Sequence, residues 1–320
     1  MLVAAAPAPA RGPAADRIDG LWWLFLGMGA AVFLLVVTLL VVPIVRRSLA
    51  RRQPPPDEHG VVPTALASRW IVGFGVVLPV VMLTVALTAT VTTMRALPRT
   101  GDGVVIDVVG RQFWWAATYR DKQVTVANEI HIPVDERVEL RLTSEDVIHS
   151  FWVPDLSGKL DLLPDGVNTL VIEADEPGTY GGVCAEFCGL QHANMRFLVI
   201  AEPRAEFDAW LAAQRQPVAE PTTDAALRGR DVFQQHGCAG CHVVREATGT
   251  LGTQSDDAGP DLTHVAGRQT LAAGTADNTT AGLTAFVADP DDVKDGTLMP
   301  TADLSDEELA DLIAYLEGLE

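Results

Sequence analysis

Two uncharged apolar runs constrain this 320-residue chain more than any other feature: Leu21 to Val45 spans 25 residues and Ile71 to Met94 spans 24, with no Asp, Glu, Lys or Arg in either. About 20 apolar residues are enough for an α-helix to cross a hydrocarbon core. The lengths predict a hairpin of two transmembrane helices, in which neighbouring helices can satisfy the backbone groups freed by Pro43 and Pro79. Trp22 and Trp23 open the first run and Trp70 abuts the second, where an amphipathic indole suits the membrane interface. The alternative, a buried hairpin in a soluble protein, is disfavoured by these lengths. The connecting loop carries Arg46, Arg47, Arg51, Arg52 and Arg69 against Asp57 and Glu58, so the positive-inside bias places it in the cytoplasm and both termini outside. Residues 1–20 lack a basic start followed by an apolar core, so they read as an N-terminal tail and the first span as the export signal.

Charge divides the chain further. Residues 1–95 carry a net +4, residues 96–215 a net −9 and residues 216–320 a net −14. An acidic two-thirds excludes nucleic acid as a partner class, because phosphate binding needs clustered Lys and Arg. It suits either a plain solvated surface or the attraction of a basic protein. From Val104 the texture becomes short Val, Ile, Thr and aromatic runs broken by turn residues, among them VVIDVV, FWWAATY, VELRL and MRFLVIA. These predict an all-β, antiparallel Greek-key sandwich over 96–215, closed by a short helix from Ala205 to Arg215 with Phe207, Trp210 and Leu211 on one face. The polar, Pro-bearing stretch 216–226 reads as a linker to a further folded unit over 227–320.

The four cysteines form two close pairs, Cys184 with Cys188 and Cys238 with Cys241. In an oxidising compartment two disulfides are one reading. The neighbours offer another. CAEFCGLQHANM gathers Cys184, Cys188, His192 and Met195 in one stretch, and VIHSFW places His149 about 35 positions earlier. Thiolates, imidazoles and a thioether are a soft set that selects copper. A single blue-copper site needs one Cys, whereas two thiolates on one loop can bridge two coppers. His131, in NEIHIP, reads instead as a structural surface histidine.

This arrangement, a His on an earlier strand and then C-x-E-x-C-x-x-x-H-x-x-M, resembles the binuclear CuA site of cytochrome c oxidase subunit II, and the preceding hairpin matches that family too. The resemblance covers roughly residues 21 to 210 and implies a cupredoxin-like fold. It implies that Cys184 and Cys188 bridge the coppers, that His149 and His192 each bind one, that Met195 is a weak ligand, and that Glu186 offers its carbonyl. In the family the Glu186 side chain would also reach a magnesium ion at the subunit I interface. SGKLDLLPDG, with Lys159 and Asp161, resembles the family's contact to subunit I, although Asp165 interrupts its Pro-Gly. There are two departures. The family's first tryptophan in G-x-Q-W-x-W, where electrons enter, is Phe113 here, with Trp114 and Trp115 beside it. No acid occurs between Glu58 and Asp102, where the family commonly carries a carboxylate at the mouth of a proton path.

Further on, Cys238, Cys241 and His242 make C-x-x-C-H, in which two thiols can form thioethers to haem vinyl groups and the imidazole can ligate iron. By itself the pentapeptide could be another kind of thiol pair. GPDL from Gly259, GTLMP with Met299, and the final SDEELADLIAYLEGLE, in which Ser305 can cap a helix with Glu308, follow in the order of a class I cytochrome c. That resemblance implies an all-α domain over 227–320 and one covalently bound haem c with His242 and Met299 as axial ligands, the alternative for Met299 being a core methionine. His236 and His264 read as surface residues.

Together the resemblances imply an oxidoreductase subunit of a respiratory chain. Electrons would pass from haem c through CuA to haem a in subunit I, where oxygen is reduced to water with proton translocation. Implied partners are subunit I, subunit III, and a cytochrome bc complex or c-type cytochrome as donor. The implied location is the bacterial cell membrane, with copper and haem on the outer side. The copper subunit of a nitric oxide reductase is a rival of the same class, and a copper-delivery module one of another class. Nitrous oxide reductase is disfavoured by the hairpin, a quinol oxidase subunit by the intact ligand set, and a delivery module by the haem motif.

Overall fold

The computed structural model describes residues 10–50, 64–121, 124–252 and 259–320, in two units that we take separately. Arg51, Arg52, Asp57 and Glu58, which contribute to the orientation reading, lie outside the described residues.

The first unit lies within residues 16–97, and its described residues are helical. Helix α1 runs Pro13–Ala50, past both ends of its apolar run. The second span is α2 (Thr64–Val72), a π turn (Gly73–Val77) and α3 (Leu78–Ala96). The widened turn directly precedes Pro79, whose ring would collide with the carbonyl four residues back in a regular helix. Two stretches, Pro13–Leu49 and Ser68–Ala96, are long and apolar enough to cross a membrane, and their apolar windows are 0% buried. That exposure is not what the core helix of a soluble protein shows. Thr84 and Thr92 donate their hydroxyls to the carbonyls of Val80 and Thr88, as a polar group in an apolar medium must.

The second unit holds the described residues from 98 to 320 together with residues 10–15. Its first lobe is a sandwich of ten strands: β1 (Val105–Arg111), β2 (Trp114–Tyr119), β3 (Val124–Ala127), β4 (Glu129–Pro133), β5 (Val138–Ser144), β6 (His149–Trp152), β7 (Leu160–Leu162), β8 (Asn168–Ile172), β9 (Gly178–Cys184) and β10 (Arg196–Glu202). They form two sheets, ordered β3-β2-β1-β5-β8 and β4-β10-β9-β6-β7. Alternation drives the layering: Ile106 and Val108 of β1 and Val138, Leu140 and Leu142 of β5 are fully buried. The sandwich is not wholly antiparallel, because β1 pairs with β5 and β4 with β10 in parallel. The chain changes sheet between β3 and β4 and again between β4 and β5, and the returning strands pair with non-neighbours in sequence. The closing helix is α4 (Arg204–Gln214), which buries Phe207 and Leu211. Trp210 stacks on His131 at 3.8 Å, and His131 meets Glu202 at 3.1 Å, so this histidine is structural but packed rather than superficial.

The second lobe is built on α5 (Asp224–Gln235), α6 (Thr280–Ala288), α7 (Pro290–Val293) and α8 (Asp306–Leu316). Thr223 caps α5, and Ser305 and Glu308 form the expected capping box on α8. Gly229 lets α5 approach α8 closely: a Cβ there would stand 2.0 Å from the Asp311 carbonyl oxygen. Residues 216–226 bury Val218, whose N–H donates to the Arg245 carbonyl at 2.8 Å.

Candidate metal and haem sites

β6 and β9 bring the copper-type residues together, since their register places Phe151 opposite Cys184 and so sets His149 beside the loop that follows β9. Cys184 Sγ lies 3.9 Å from Cys188 Sγ and 3.9 Å from His149 Nδ1. Cys188 Sγ lies 3.8 Å from both His192 Nδ1 and Met195 Sδ. The Glu186 carbonyl is 3.2 Å from Cys184 Sγ, while its side chain is exposed. All six expected residues thus meet in one cluster, and all four cysteines are free thiols. Two donors each about 2.3 Å from one ion at a tetrahedral angle stand about 3.8 Å apart, so the spacing suits metal ions between these atoms. The soft donors Cys184, Cys188 and Met195 are buried, which fits copper.

The electrostatics poise Cys184 as a thiolate, while Cys188 and His149 hold protons that a bound metal would displace. The hydrogen bond from Cys188 pulls the Cys184 thiol down to about 3, with His149 contributing, while that shared proton and burial push Cys188 up. Burial opposes charge on His149, but its hydrogen bonds to Cys184 and Asp146 hold it above the ordinary imidazole value. Asp146 Oδ1 is 2.7 Å from His149 Nε2 and so fixes which ring nitrogen faces the thiols. An acid three residues before a ligand-type histidine could have flagged Asp146. Gly110 could not have been flagged, yet a Cβ there would stand 2.7 Å from His149 Cδ2.

A cavity of about 310 Å³ opens in the helical lobe, with Cys238, Cys241, His242 and Met299 on its wall among Phe233, Leu283, Leu312 and other apolar residues. His242 donates from Nδ1 to the Pro260 carbonyl at 2.8 Å, which leaves Nε2 as the free lone pair, and burial holds the ring below its ordinary pKa and so neutral. Gly259 leaves the room this needs, because a Cβ would stand 2.4 Å from His242 Cε1. Donors and apolar wall together fit a c-type haem. His236 lines the cavity beside Glu308, and His264 donates from Nε2 to the Gln216 carbonyl at 3.1 Å.

The aromatic stretch joins the two sites. Gln112, Phe113 and Trp114 line the haem-type cavity. Gln112 also donates its side-chain amide to the Cys188 carbonyl, and a Cβ on Gly189 would stand 3.1 Å from the Phe113 ring. Trp115 is core instead, edge-on to His149, Phe151 and Phe197. Lys159 donates to the Ala185 carbonyl at 3.2 Å, beside the copper loop.

A family model described as cytochrome c oxidase subunit II, periplasmic domain, matches residues 116–202, and a cytochrome c model matches residues 226–320. Cytochrome c oxidase subunit 2 of Alkalihalophilus pseudofirmus is 40% identical over 264 residues, covering 80% of this chain and 73% of that protein. The Bacillus subtilis protein of the same description is 32% identical over 251 residues, covering 76% and 70%. Among solved structures, the periplasmic domain of subunit II of the Bradyrhizobium japonicum cytochrome oxidase is similar at TM-score 0.35 and 26% identity, covering 37% of this chain and 96% of that one.

Proposed function

The chain belongs to the cytochrome c oxidase subunit II family, with a cytochrome c domain at its C-terminal end, and from that premise we propose that it carries electrons from the haem-binding lobe to the copper-binding loop and on to haem a of subunit I. Membership makes it part of a haem–copper oxidase, a membrane protein with a periplasmic domain, working beside subunit I. The finer assignments are ours: His149, Cys184, Cys188, His192, Met195 and the Glu186 carbonyl hold CuA, and Cys238, Cys241, His242 and Met299 hold haem c. We further assign the exposed Glu186 side chain to magnesium at the subunit I face, subunit III as a neighbour, a cytochrome bc complex or c-type cytochrome as donor, and the loop between the helices to the cytoplasm.

Each group, when bound, exchanges one electron at a time and makes or breaks no substrate bond. The chain's own residues do the rest. Asp146 orients His149, Pro260 orients His242, and the buried Cys184 and Cys188 keep water from the copper loop. One observation carries the proposal: the Gln112–Trp114 segment walls the haem-type cavity and touches the copper loop at Cys188 and Gly189. Phe113 therefore offers a short packed connection where the family has tryptophan. The test is metal analysis with electron paramagnetic resonance on the full chain, matured with copper in a host competent for c-haem. Two coppers with a mixed-valence signal beside one low-spin haem are expected. Haem without copper would return Cys184 and Cys188 to a thiol pair.

A further inference from the structure

Building on the electron route proposed above, we propose that Lys294 is a positioning residue for electron transfer, a buried three-way clamp that holds the haem lobe docked on the copper lobe in one fixed arrangement. Lys294 follows α7 and precedes the Met299 loop, and it is 3% exposed. An ammonium offers three donors and no acceptor. Here the three are matched: Nζ donates to the carbonyls of Phe113 at 2.8 Å, Ala272 at 2.9 Å and Asn194 at 3.2 Å. The three acceptors come from three different places. Phe113 belongs to the segment walling the haem-type cavity, Asn194 lies between His192 and Met195 of the copper loop, and Ala272 belongs to the haem lobe. A buried charge persists only when its bonds are satisfied, and carbonyls from both lobes satisfy this one only in the docked arrangement, so its geometry selects that arrangement over any other packed one.

Neighbouring contacts act in the same sense. Glu129, buried on β4, reaches from the copper lobe to accept from the backbone N–H groups of Gln269 at 2.8 Å and Thr270 at 2.9 Å. The Arg196 N–H donates to the Ala273 carbonyl at 3.1 Å across the same boundary. Ala272 and Ala273 both sit in the left-handed region, at φ 51° and 57°, where a residue with a Cβ is disfavoured. Strained residues persist where the surroundings over-determine them, and these two carbonyls are the ones engaged by Lys294 and Arg196. Lys294 thus sets the relation of Phe113 to both sites without being a ligand of either.

The test uses the assembled oxidase carrying Lys294→Met or Lys294→Gln. Hydrogen exchange at the Arg196 amide reports lobe separation directly, and photoreduction of the haem reports its transfer rate to copper. Paramagnetic resonance and the haem spectrum report loading. In Lys294→Met, Arg196 exchange should rise and transfer should slow, each by roughly tenfold or more, with donor KM unchanged. Lys294→Gln, which keeps two donors without the charge, should fall between. Exchange and transfer within about twofold of wild type in the loaded variant would overturn the clamp. If Lys294→Met accumulates without haem or copper, the same limits applied to Lys294→Gln decide. A wild-type enzyme without the mixed-valence signal would sink the electron route instead, while Arg196 exchange would still judge the docking.

Discussion

Replacing Gly110 by Ala should disable the copper site from the opposite sheet. The new Cβ would stand 2.7, 3.0 and 3.2 Å from His149 Cδ2, Cγ and Cβ, against the roughly 3.5–4.0 Å that carbon pairs prefer. Relief needs a shift of about 1 Å, and His149 has nowhere to go: it is 0% exposed, with Asp146 at 2.7 Å, Cys184 at 3.9 Å and the Trp115 ring beside it. Overpacking of this kind costs about 1–3 kcal/mol. Losing alignment with Asp146 should add a ligand-orientation penalty of about 10–100-fold in metal affinity, or about 1.4–2.7 kcal/mol. The assay is copper titration followed by paramagnetic resonance on the full chain, with melting of the copper-free protein as the stability arm. Gly181→Ala is the control, since Gly181 also lies on a strand of the sandwich and has nothing within 4 Å of its would-be Cβ. Wild-type copper affinity and melting in Gly110→Ala would refute the steric reasoning.

Three further outcomes are expected. Gly259→Ala should displace His242, since its Cβ would stand 2.4 Å from the ring, and the optical spectrum at matched haem content should lose its low-spin character; an unchanged spectrum contradicts this. Gly229→Ala should lower the melting temperature of the haem lobe, because its obstacle is the Asp311 backbone, and overpacking of about 1–3 kcal/mol outweighs a helix-propensity gain of about 1 kcal/mol. Calorimetry showing equal or higher stability counts against it. Burial holds His131 below the ordinary imidazole value despite Glu202, so the folded lobe binds fewer protons than the unfolded chain between that lowered value and about pH 6.5. Stability should therefore fall as pH drops through that window, and His131→Gln should flatten the slope in melting curves taken across it.

What was legible in the sequence is what neighbouring residues settle together. The capping box at Ser305 falls within four positions and is legible from spacing, whereas the copper loop, within twelve, shows a soft donor set whose binuclear reading rests on the family resemblance. The strands were legible as strands from alternation, but their partners were not. Nothing local in VVIDVV says that β1 pairs in parallel with β5. His131 was misplaced at the surface for a related reason, because its stacking partner Trp210 lies on α4, far along the chain.

The lobe boundary was the least legible part, and the reason is chemical. Lys294 is the only lysine in residues 216–320, a segment of net −14, and nothing in the surrounding sequence marks it as buried. Its partners are the carbonyls of Phe113, Asn194 and Ala272. Main-chain carbonyls are the same at every residue, so no pattern of side chains can mark which three an ammonium will find. Glu129 repeats the case with the sign reversed, its carboxylate accepting from the backbone N–H groups of Gln269 and Thr270. Contacts between a buried charge and remote backbone depend on the folded path alone. Here they occur where the copper loop, the Phe113 segment and the haem lobe converge.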